Sequence, residues 1–287
     1  MIKRIIGIMA ILLVATLSVF PQTGRIVILH TNDTHSQIEP FAPNHKTLGG
    51  MAGVVRRMAL IDSIRSVEPN VLLVDAGDAI QGTPYFNLFG GEAEFEVMNA
   101  MRYDVRTLGN HEFDARMEKL AELIKKSTAR FISSNYDLSN TPLAGLIQPW
   151  AIQEVGGYKV GFLALNVNPE NLIPAEACKG VVFHDPIKAA NETARLLREK
   201  GADIVVALSH LGYTGHAESD ITDPQIAAAT TDIDIIIGGH SHTAIDPKNP
   251  QPDIQYLVKN KAGKEVVIAQ TGASGVYVGC ITIEPKK

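Results

Sequence analysis

Short apolar runs recur along the chain, and most of them end at glycine or at polar residues. Runs of this length, bounded by turn-forming residues, are typical of strands buried on both faces. The predicted strands cover 25–31, 71–74, 105–108, 131–135, 150–155, 158–165, 203–208, 233–237, 254–258, 266–270 and 276–284. Gly156-Gly157 between two of them predicts a β-hairpin.

Other stretches repeat their apolar residues every three or four positions, which is the spacing of amphipathic helices. These predicted helices cover 51–66, 84–102 with a break at Gly90-Gly91, 114–126, 186–200 and 225–231. In the first of them, Arg56 and Arg57 are expected to face solvent. Strands that alternate with helices predict an α/β protein, and no shift in composition divides the chain, so one domain is expected.

Polar side chains that bind metals follow five of the predicted strands. Because parallel strands end at one edge of a sheet, we expect these side chains to meet there. They are Asp33, His35, Asp78, Asn110, His111, His210, His240 and His242. The four other histidines, which are His30, His45, His184 and His216, are assigned structural or surface roles.

The number of these ligands indicates two metal ions. Even without His111, two carboxylates, one amide oxygen and four imidazoles exceed what one ion with three or four protein ligands uses. They suit two divalent ions that share one carboxylate, an arrangement that supports displacement at phosphorus. Nitrogen and oxygen ligands without thiolate favour Zn, Mn or Fe.

Composition narrows the class of protein. The chain has 287 residues, of which 45% are hydrophobic and 20% charged, with a formal net charge of -5. These values are ordinary for a globular protein with a sizeable core, and the acidic balance argues against stable nucleic-acid binding. Cys178 and Cys280 lack metal or redox spacing, and either a disulfide or two free thiols is compatible with them.

The N-terminus has the pattern of a secretory signal. Lys3 and Arg4 precede an uncharged apolar run from Ile5 to Phe20, which ends at Pro21. The run is short for a spanning helix, so residues 1–24 are predicted to be a signal peptide and the protein to be exported, periplasmic or secreted. After signal removal no membrane span is expected. A retained membrane anchor is the alternative, and no cysteine follows the run to carry a lipid.

Five ordered motifs together resemble the calcineurin-like metallophosphoesterases, and in particular their 5′-nucleotidase branch. The motifs are Asp33-x-His35, 77–82 (GDAIQG), 109–112 (GNHE), 209–212 (SHLG) and 238–242 (GGHSH). The resemblance covers residues 25–284 of the expected metallophosphoesterase domain, 25–287. It implies a four-layer α/β/β/α sandwich of two mixed sheets flanked by helices, which agrees with the predicted order of elements.

The resemblance also implies roles for individual residues. It implies a first metal bound by Asp33, His35, Asp78 and His242, with Asp78 bridging to a second metal bound by Asn110, His210 and His240. His111 is similar to the family's catalytic histidine and Asp114 to its partner. An acid three positions after His111 can reach back to it on a helical turn and hold it as a cation.

The chain departs from the resembling nucleotidases, because it ends at Lys287 without room for their second, substrate-binding domain. Either a separate polypeptide supplies that part, or the loops 41–47, 136–149 and 213–224 select the substrate. The expected activity is hydrolysis of nucleoside monophosphates or similar small phosphate esters by a metal-activated hydroxide. A 2′,3′-cyclic-nucleotide phosphodiesterase is the alternative enzyme, and a metal-binding subunit that needs a partner chain is the alternative of another class.

Overall fold

A computed structural model describes residues 24–170 and 172–284. Except for Gly24, the predicted signal segment 1–24 therefore lies outside the described residues. Within the described ranges, none of the helices combines the length and the apolar character needed to cross a membrane. The two cysteines are free thiols, with Cys178 half-buried and Cys280 exposed, which answers the alternative that the sequence leaves open.

The elements alternate as the sequence predicts. The strands are β1 (Ile26–Thr31), β2 (Val71–Asp75), β3 (Val105–Arg106), β4 (Arg130–Phe131), β5 (Tyr136–Asp137), β6 (Trp150–Val155), β7 (Tyr158–Asn166), β8 (Val182–Phe183), β9 (Ile204–His210), β10 (Ile235–Gly238), β11 (Leu257–Lys259), β12 (Glu265–Ala269) and β13 (Gly279–Ile283). The helices are α1 (Val54–Val67), α2 (Pro84–Phe89), α3 (Glu92–Met101), α4 (Met117–Lys126), α5 (Pro186–Glu199) and α6 (Asp223–Ala229).

Two mixed sheets form the centre of the fold. One has the order β13-β1-β2-β3-β4, in which only the pairing of β13 with β1 is antiparallel. The other has the order β11-β12-β10-β9-β7-β6, with parallel strands in the middle and antiparallel strands at both edges. A short pair, β5 with β8, stands apart from both sheets.

The alternation of side chains along the strands builds the layers. In β1, Ile26 and Ile28 face the second sheet and pack with Phe162 and Val206, whereas Leu29 faces the outside of the first sheet. Helices α1 and α3 cover that outer face, and α5 and α6 cover the outer face of the second sheet. The predicted four-layer α/β/β/α sandwich is therefore confirmed.

The expectation that Arg57 faces solvent is wrong. Arg57 is 7% exposed, whereas Val55 on the same helix is 79% exposed. The guanidinium occupies space next to Gly275, where a Cβ atom would collide with it, so this glycine makes room for the arginine. A helix whose buried face carries an arginine cannot be oriented from its apolar spacing alone.

The region after β3 also differs from the prediction of one helix over 114–126. A short 3-10 turn covers His111–Ala115, and α4 begins only at Met117. Arg116 separates them because its backbone is left-handed, with φ 62°. Because of this break, His111 and Asp114 lie in the 3-10 turn and not in α4.

Candidate metal centre

The predicted ligands follow strands of both sheets. In the first sheet, Asp33 and His35 follow β1, Asp78 follows β2, and Asn110 follows β3. Two strand ends of the second sheet supply the rest, since His210 is the last residue of β9 and His240 follows β10 by two positions. The ends of the parallel strands of the two sheets therefore meet at one edge of the sandwich.

One group of ligand atoms surrounds Asp33. His242 Nε2 lies 3.4 Å from Asp33 Oδ1, and His35 Nε2 lies 3.8 Å from the same oxygen. His35 Nε2 is also 4.0 Å from Asp78 Oδ2. In the described chain, the ligand atoms of Asp33, His35 and His242 all lie within 4.8 Å of one another, which is the separation of atoms that can share a metal ion.

A second group surrounds Asp78. His210 Nε2 lies 3.1 Å from Asp78 Oδ2, and His240 completes a set whose ligand atoms are within 4.8 Å of one another. Asn110 is 8% exposed, and its Oδ1 is an acceptor with no hydrogen-bond donor among the described residues. An unpaired buried acceptor next to such a cluster is the feature that a bound cation would satisfy.

The tautomers of two histidines show that the groups suit cations. His210 Nδ1 donates to the Ala76 carbonyl at 2.7 Å, and His35 Nδ1 donates to the Gln81 carbonyl at 3.2 Å. In the neutral form of each ring, which is the form that binds metal, the Nε2 atom would carry a lone pair that points at carboxylates or at the His242 nitrogen 3.0 Å away. Lone pairs that converge in this way repel one another unless a cation lies between them, so the donor set fits bound metal.

Burial and neighbouring charged groups shift the pKa values of Asp78 and His240. Burial is the largest single influence on the Asp78 carboxyl and raises its pKa, but His210, His35 and His111 together outweigh burial and hold that pKa well below its usual value. Burial, with a smaller contribution from the neighbouring His210, lowers the pKa of His240 to about 4. A low pKa keeps His240 neutral at physiological pH, which is the form that binds metal.

Most of the candidate ligands have unusual backbone conformations. Asp33, His35, Asp78, His240 and His242 all have positive φ values, between 47° and 69°. Non-glycine residues rarely adopt this region, and strained conformations of this kind concentrate at functional sites. Turns of this hand direct several side chains of one short loop towards the same point.

Main-chain hydrogen bonds join the loops that carry these turns. Asp33 N donates to the Gly77 carbonyl at 2.9 Å, and His35 N donates to the Asp78 carbonyl at 3.0 Å. Glycine is required where the loops approach most closely: a Cβ atom on Gly109 would lie 2.1 Å from Asp78 Oδ1, and one on Gly239 would lie 2.9 Å from His210 Nδ1. The absence of a side chain at Gly239 therefore lets the loop after β10 pack directly against His210.

His111 and Asp114 form a pair beside the two groups. His111 Nδ1 lies 2.7 Å from Asp114 Oδ2, which is the contact expected for residues three positions apart on a helical turn. The other face of the pair borders the site, since His111 lies within 4.8 Å of ligand atoms of His35 and Asp78. About a third of the His111 side chain is exposed, so a bound molecule can reach it.

Three residues that support the site could not be recognised as such in the sequence. Glu112 is fully buried and accepts hydrogen bonds from the backbone N–H groups of Asp78, Ala79 and Gly109. Asn32 donates to Asp33 Oδ2 at 2.6 Å, and Gln270 binds the loop that carries His240. Glu112 lies within a recognised motif, but its orientation towards the backbone has no sequence signal.

His216 is exposed, which agrees with the surface role assigned to it. Its ring packs against that of His240, with centroids 4.7 Å apart and planes nearly perpendicular. His30 is buried as a structural residue, and burial lowers the pKa of its imidazole to about 4.

Asp223 is a buried carboxyl group behind the site, and it makes stability depend on pH. Burial raises the pKa of Asp223 to about 7, although the Ser209 hydroxyl acts in the opposite direction. Because this folded-state pKa lies above the ordinary value, ionisation is unfavourable in the folded state, and stability is lost as the pH rises from about 4 to about 7. We expect Asp223→Asn to remove this loss.

The measurement is thermal unfolding of metal-free protein at several pH values. Asp223→Asn should have the higher midpoint at pH 8 by several degrees, and the difference should shrink as the pH falls towards about 4. Asp253→Asn, at an exposed position, is the control. A difference that stays constant with pH would mean that packing, not ionisation, separates the variants.

Comparisons with known proteins agree with this geometry. The sequence profile of the calcineurin-like phosphoesterase family matches residues 26–244. The chain is 33% identical to human 5′-nucleotidase over 281 residues, which are 92% of this chain and 48% of that protein. It is 30% identical to a venom 5′-nucleotidase of Crotalus adamanteus, over 94% of this chain and 47% of that protein.

A solved structure shows the same similarity in three dimensions. The 5′-nucleotidase precursor from Thermus thermophilus superposes with a TM-score of 0.77 at 35% identity, over 90% of this chain and 51% of that one. The chain thus spans about half the length of these relatives. The resemblance inferred from five motifs is confirmed. The metallophosphoesterase fold and the His/Asp clusters at one edge of the sandwich indicate a centre for two divalent metals. The chain therefore belongs to the calcineurin-like phosphoesterases, a family of metal-dependent phosphoester hydrolases.

Proposed function

We propose that this chain is an exported phosphohydrolase with two divalent metals that cleaves phosphate esters, with nucleoside 5′-monophosphates as substrates. The observation that supports this most strongly is the position of Asp78. Its carboxylate lies 4.0 Å from His35 Nε2 in one cluster and 3.1 Å from His210 Nε2 in the other. One carboxylate shared by two clusters is the arrangement that a two-metal hydrolase requires.

The geometry supports the following ligand assignment. Asp33, His35, Asp78 and His242 hold the first ion, and Asp78, Asn110, His210 and His240 hold the second. When bound, two such ions polarise the ester and lower the pKa of water, so that water can attack phosphorus near neutral pH. The metal identity follows the ligand chemistry, which favours Zn, Mn or Fe.

His111 and Asp114 act on the phosphoryl group and on the leaving group of the ester. Asp114 accepts the Nδ1 proton of His111, which fixes the orientation of the ring. As the general acid, His111 donates its Nε2 proton to the ester, where negative charge grows on the phosphoryl and leaving oxygens as the P–O bond breaks. The alcohol leaves with the proton, and inorganic phosphate is the second product.

An assay of the chain from residue 25 to residue 287, loaded with Mn or Zn, tests this function. We expect hydrolysis of AMP and of p-nitrophenyl phosphate, and a loss of about 10²- to 10⁴-fold in kcat for His111→Ala. Bound metal should stay unchanged in that variant, because His111 is not among the assigned ligands. Glu118→Gln, at an exposed position of α4, serves as the control.

The substrates divide the possible outcomes. Turnover of a 2′,3′-cyclic nucleotide in preference to AMP would replace the monoesterase by the phosphodiesterase. Turnover of p-nitrophenyl phosphate alone would place substrate selection on a separate polypeptide. With both metals bound and no turnover of any substrate, the chain would be a metal-binding subunit, an assignment compatible with its covering 48% of the human relative.

Export and a single metallophosphoesterase domain over 25–287 belong to the same proposal. The charged and apolar pattern of residues 3–20 supports cleavage of a signal peptide near residue 24. A venom protein among the relatives supports a role outside the cell. Intact mass of the protein recovered from the medium or periplasm measures this directly, and an uncleaved chain retained with membranes would contradict it.

A further inference from the structure

A cleft of about 790 Å³ opens beside the metal centre, on the side of His240. This volume is in the range that takes small-molecule ligands. Its lining comes from residues 167, 168, 170 and 172 after β7, from β8 and the start of α5, from the loop between β9 and α6, and from His240. Of the three loops proposed from sequence to select substrate, only 213–224 borders this cleft.

The charged side chains that line the cleft are acidic. Glu170, Asp185 and Asp220 line it, and none of the described lining residues is a lysine or arginine. The remaining wall is largely apolar, with the Phe183 ring and Leu172 among its members. An anion entering this space would find no cationic side chain in its walls, whereas hydroxyl and amino groups would find carboxylate acceptors.

Two of these carboxylates are held in place by the backbone. Asp220 Oδ2 accepts hydrogen bonds from the N–H groups of His216 at 2.9 Å and Ala217 at 2.8 Å. Asp185 Oδ1 caps α5 through the N–H of Lys188 at 2.7 Å. The Asp220 bonds also hold the loop that packs His216 against His240, so the cleft and the metal centre share a wall.

We propose that this cleft binds the alcohol half of the ester, a nucleoside, and that its three carboxylates exclude leaving groups that carry a further negative charge. The proposal rests on the phosphohydrolase function above. Carboxylates bind ribose hydroxyls well, and Phe183 and His216 give the cleft two aromatic side chains against which a base can pack. The phosphoryl group then lies at the metals and the nucleoside extends past His240.

Two substrates that differ by one phosphate test the charge selection. AMP and adenosine 3′,5′-bisphosphate share the same 5′ ester, but the bisphosphate carries negative charge on the leaving nucleoside. With p-nitrophenyl phosphate as reference, we expect kcat/KM for release of the 5′ phosphate to be at least about tenfold lower for the bisphosphate. Glu170→Gln should reduce that ratio by roughly threefold, because it removes one of the three negative charges that the bisphosphate meets in the cleft.

Controls separate this inference from the proposed function. Asp220→Asn keeps an acceptor oxygen for the two N–H groups and should shift the ratio in the same direction, whereas Glu154→Gln, exposed on β6, should not. Calorimetric titration of adenosine into metal-free protein should show binding that is weakened at least about threefold by Leu172→Glu. This readout does not depend on turnover.

Each outcome has one meaning. If p-nitrophenyl phosphate is hydrolysed but the AMP-to-bisphosphate ratio is near one, or does not change in Glu170→Gln and Asp220→Asn, the cleft does not select the leaving group. Absence of adenosine binding to metal-free protein also contradicts the proposal. Loss of all turnover with adenosine still bound would overturn the hydrolase function and leave the nucleoside site standing.

Discussion

Asp78→Asn should reduce phosphomonoester hydrolysis by at least about a thousandfold and reduce bound metal from two ions towards one. The carboxylate is the group placed between both clusters, 4.0 Å from His35 Nε2 and 3.1 Å from His210 Nε2. An amide has only one acceptor oxygen and no charge, so it cannot bridge two cations. The expected loss is several kcal/mol of transition-state stabilisation, which corresponds to the stated factor.

Metal content by mass spectrometry and kcat for p-nitrophenyl phosphate are measured on the same sample. Asparagine keeps the oxygen that accepts the His111 N–H at 2.8 Å, so folding should be preserved. Circular dichroism verifies this, and Asp253→Asn on the exposed surface is the matched control. Two ions per chain with near-normal kcat in Asp78→Asn would mean that the clusters do not share a carboxylate.

Sequence reasoning could single out the candidate ligands that the structure brings together because their chemistry is local. Each lies within a few residues of a buried strand end, and a strand end, a glycine and an imidazole are all visible in one short motif. What sequence could not show is that Asp33 and Asp78 follow strands of one sheet, whereas His210 and His240 follow strands of the other. That meeting of two sheets depends on packing between Ile28, Phe162 and Val206 rather than on any motif.

The errors in the fold have the same origin. Apolar spacing located α1 but predicted the wrong solvent-facing side, with Arg57 exposed. The burial of Arg57 depends on Gly275, which is more than 200 residues away in the chain. The helix predicted to begin at Asp114 begins at Met117, because the left-handed Arg116 interrupts it. Contacts between distant residues decide such cases, and a local pattern does not contain them.

The cleft next to His240 illustrates the same limit on the functional side. His216 and Asp220 lie in a polar loop whose sequence indicates only a rim. Only in the folded chain does Asp220 bind the loop backbone and bring the His216 ring to 4.7 Å from that of His240. Candidate metal ligands can therefore be recognised from motifs, whereas the residues proposed here to select a substrate come together only through the packing of loops from different elements.

Glu112→Gln should lower both stability and activity, although Glu112 is not assigned to metal or substrate. The fully buried carboxylate accepts the N–H groups of Asp78 at 3.0 Å and Ala79 at 2.8 Å, and that of Gly109. Glutamine would direct an NH₂ group at one of these donors, and the buried Arg106 would lose one of the two carboxylates that act on it. We expect a loss of about 2–4 kcal/mol in the free energy of unfolding.

Activity should fall by about 10- to 100-fold in the same variant, because the loop that carries Asp78 is no longer fixed. Denaturant unfolding of metal-free protein gives the stability change, and kcat at saturating metal gives the change in activity. Glu118→Gln, six positions along the chain and exposed on α4, should alter neither. If Glu112→Gln unfolds like the unaltered protein yet loses activity, Glu112 acts directly on bound metal or substrate. If both values are unchanged, the three backbone hydrogen bonds do not hold the site.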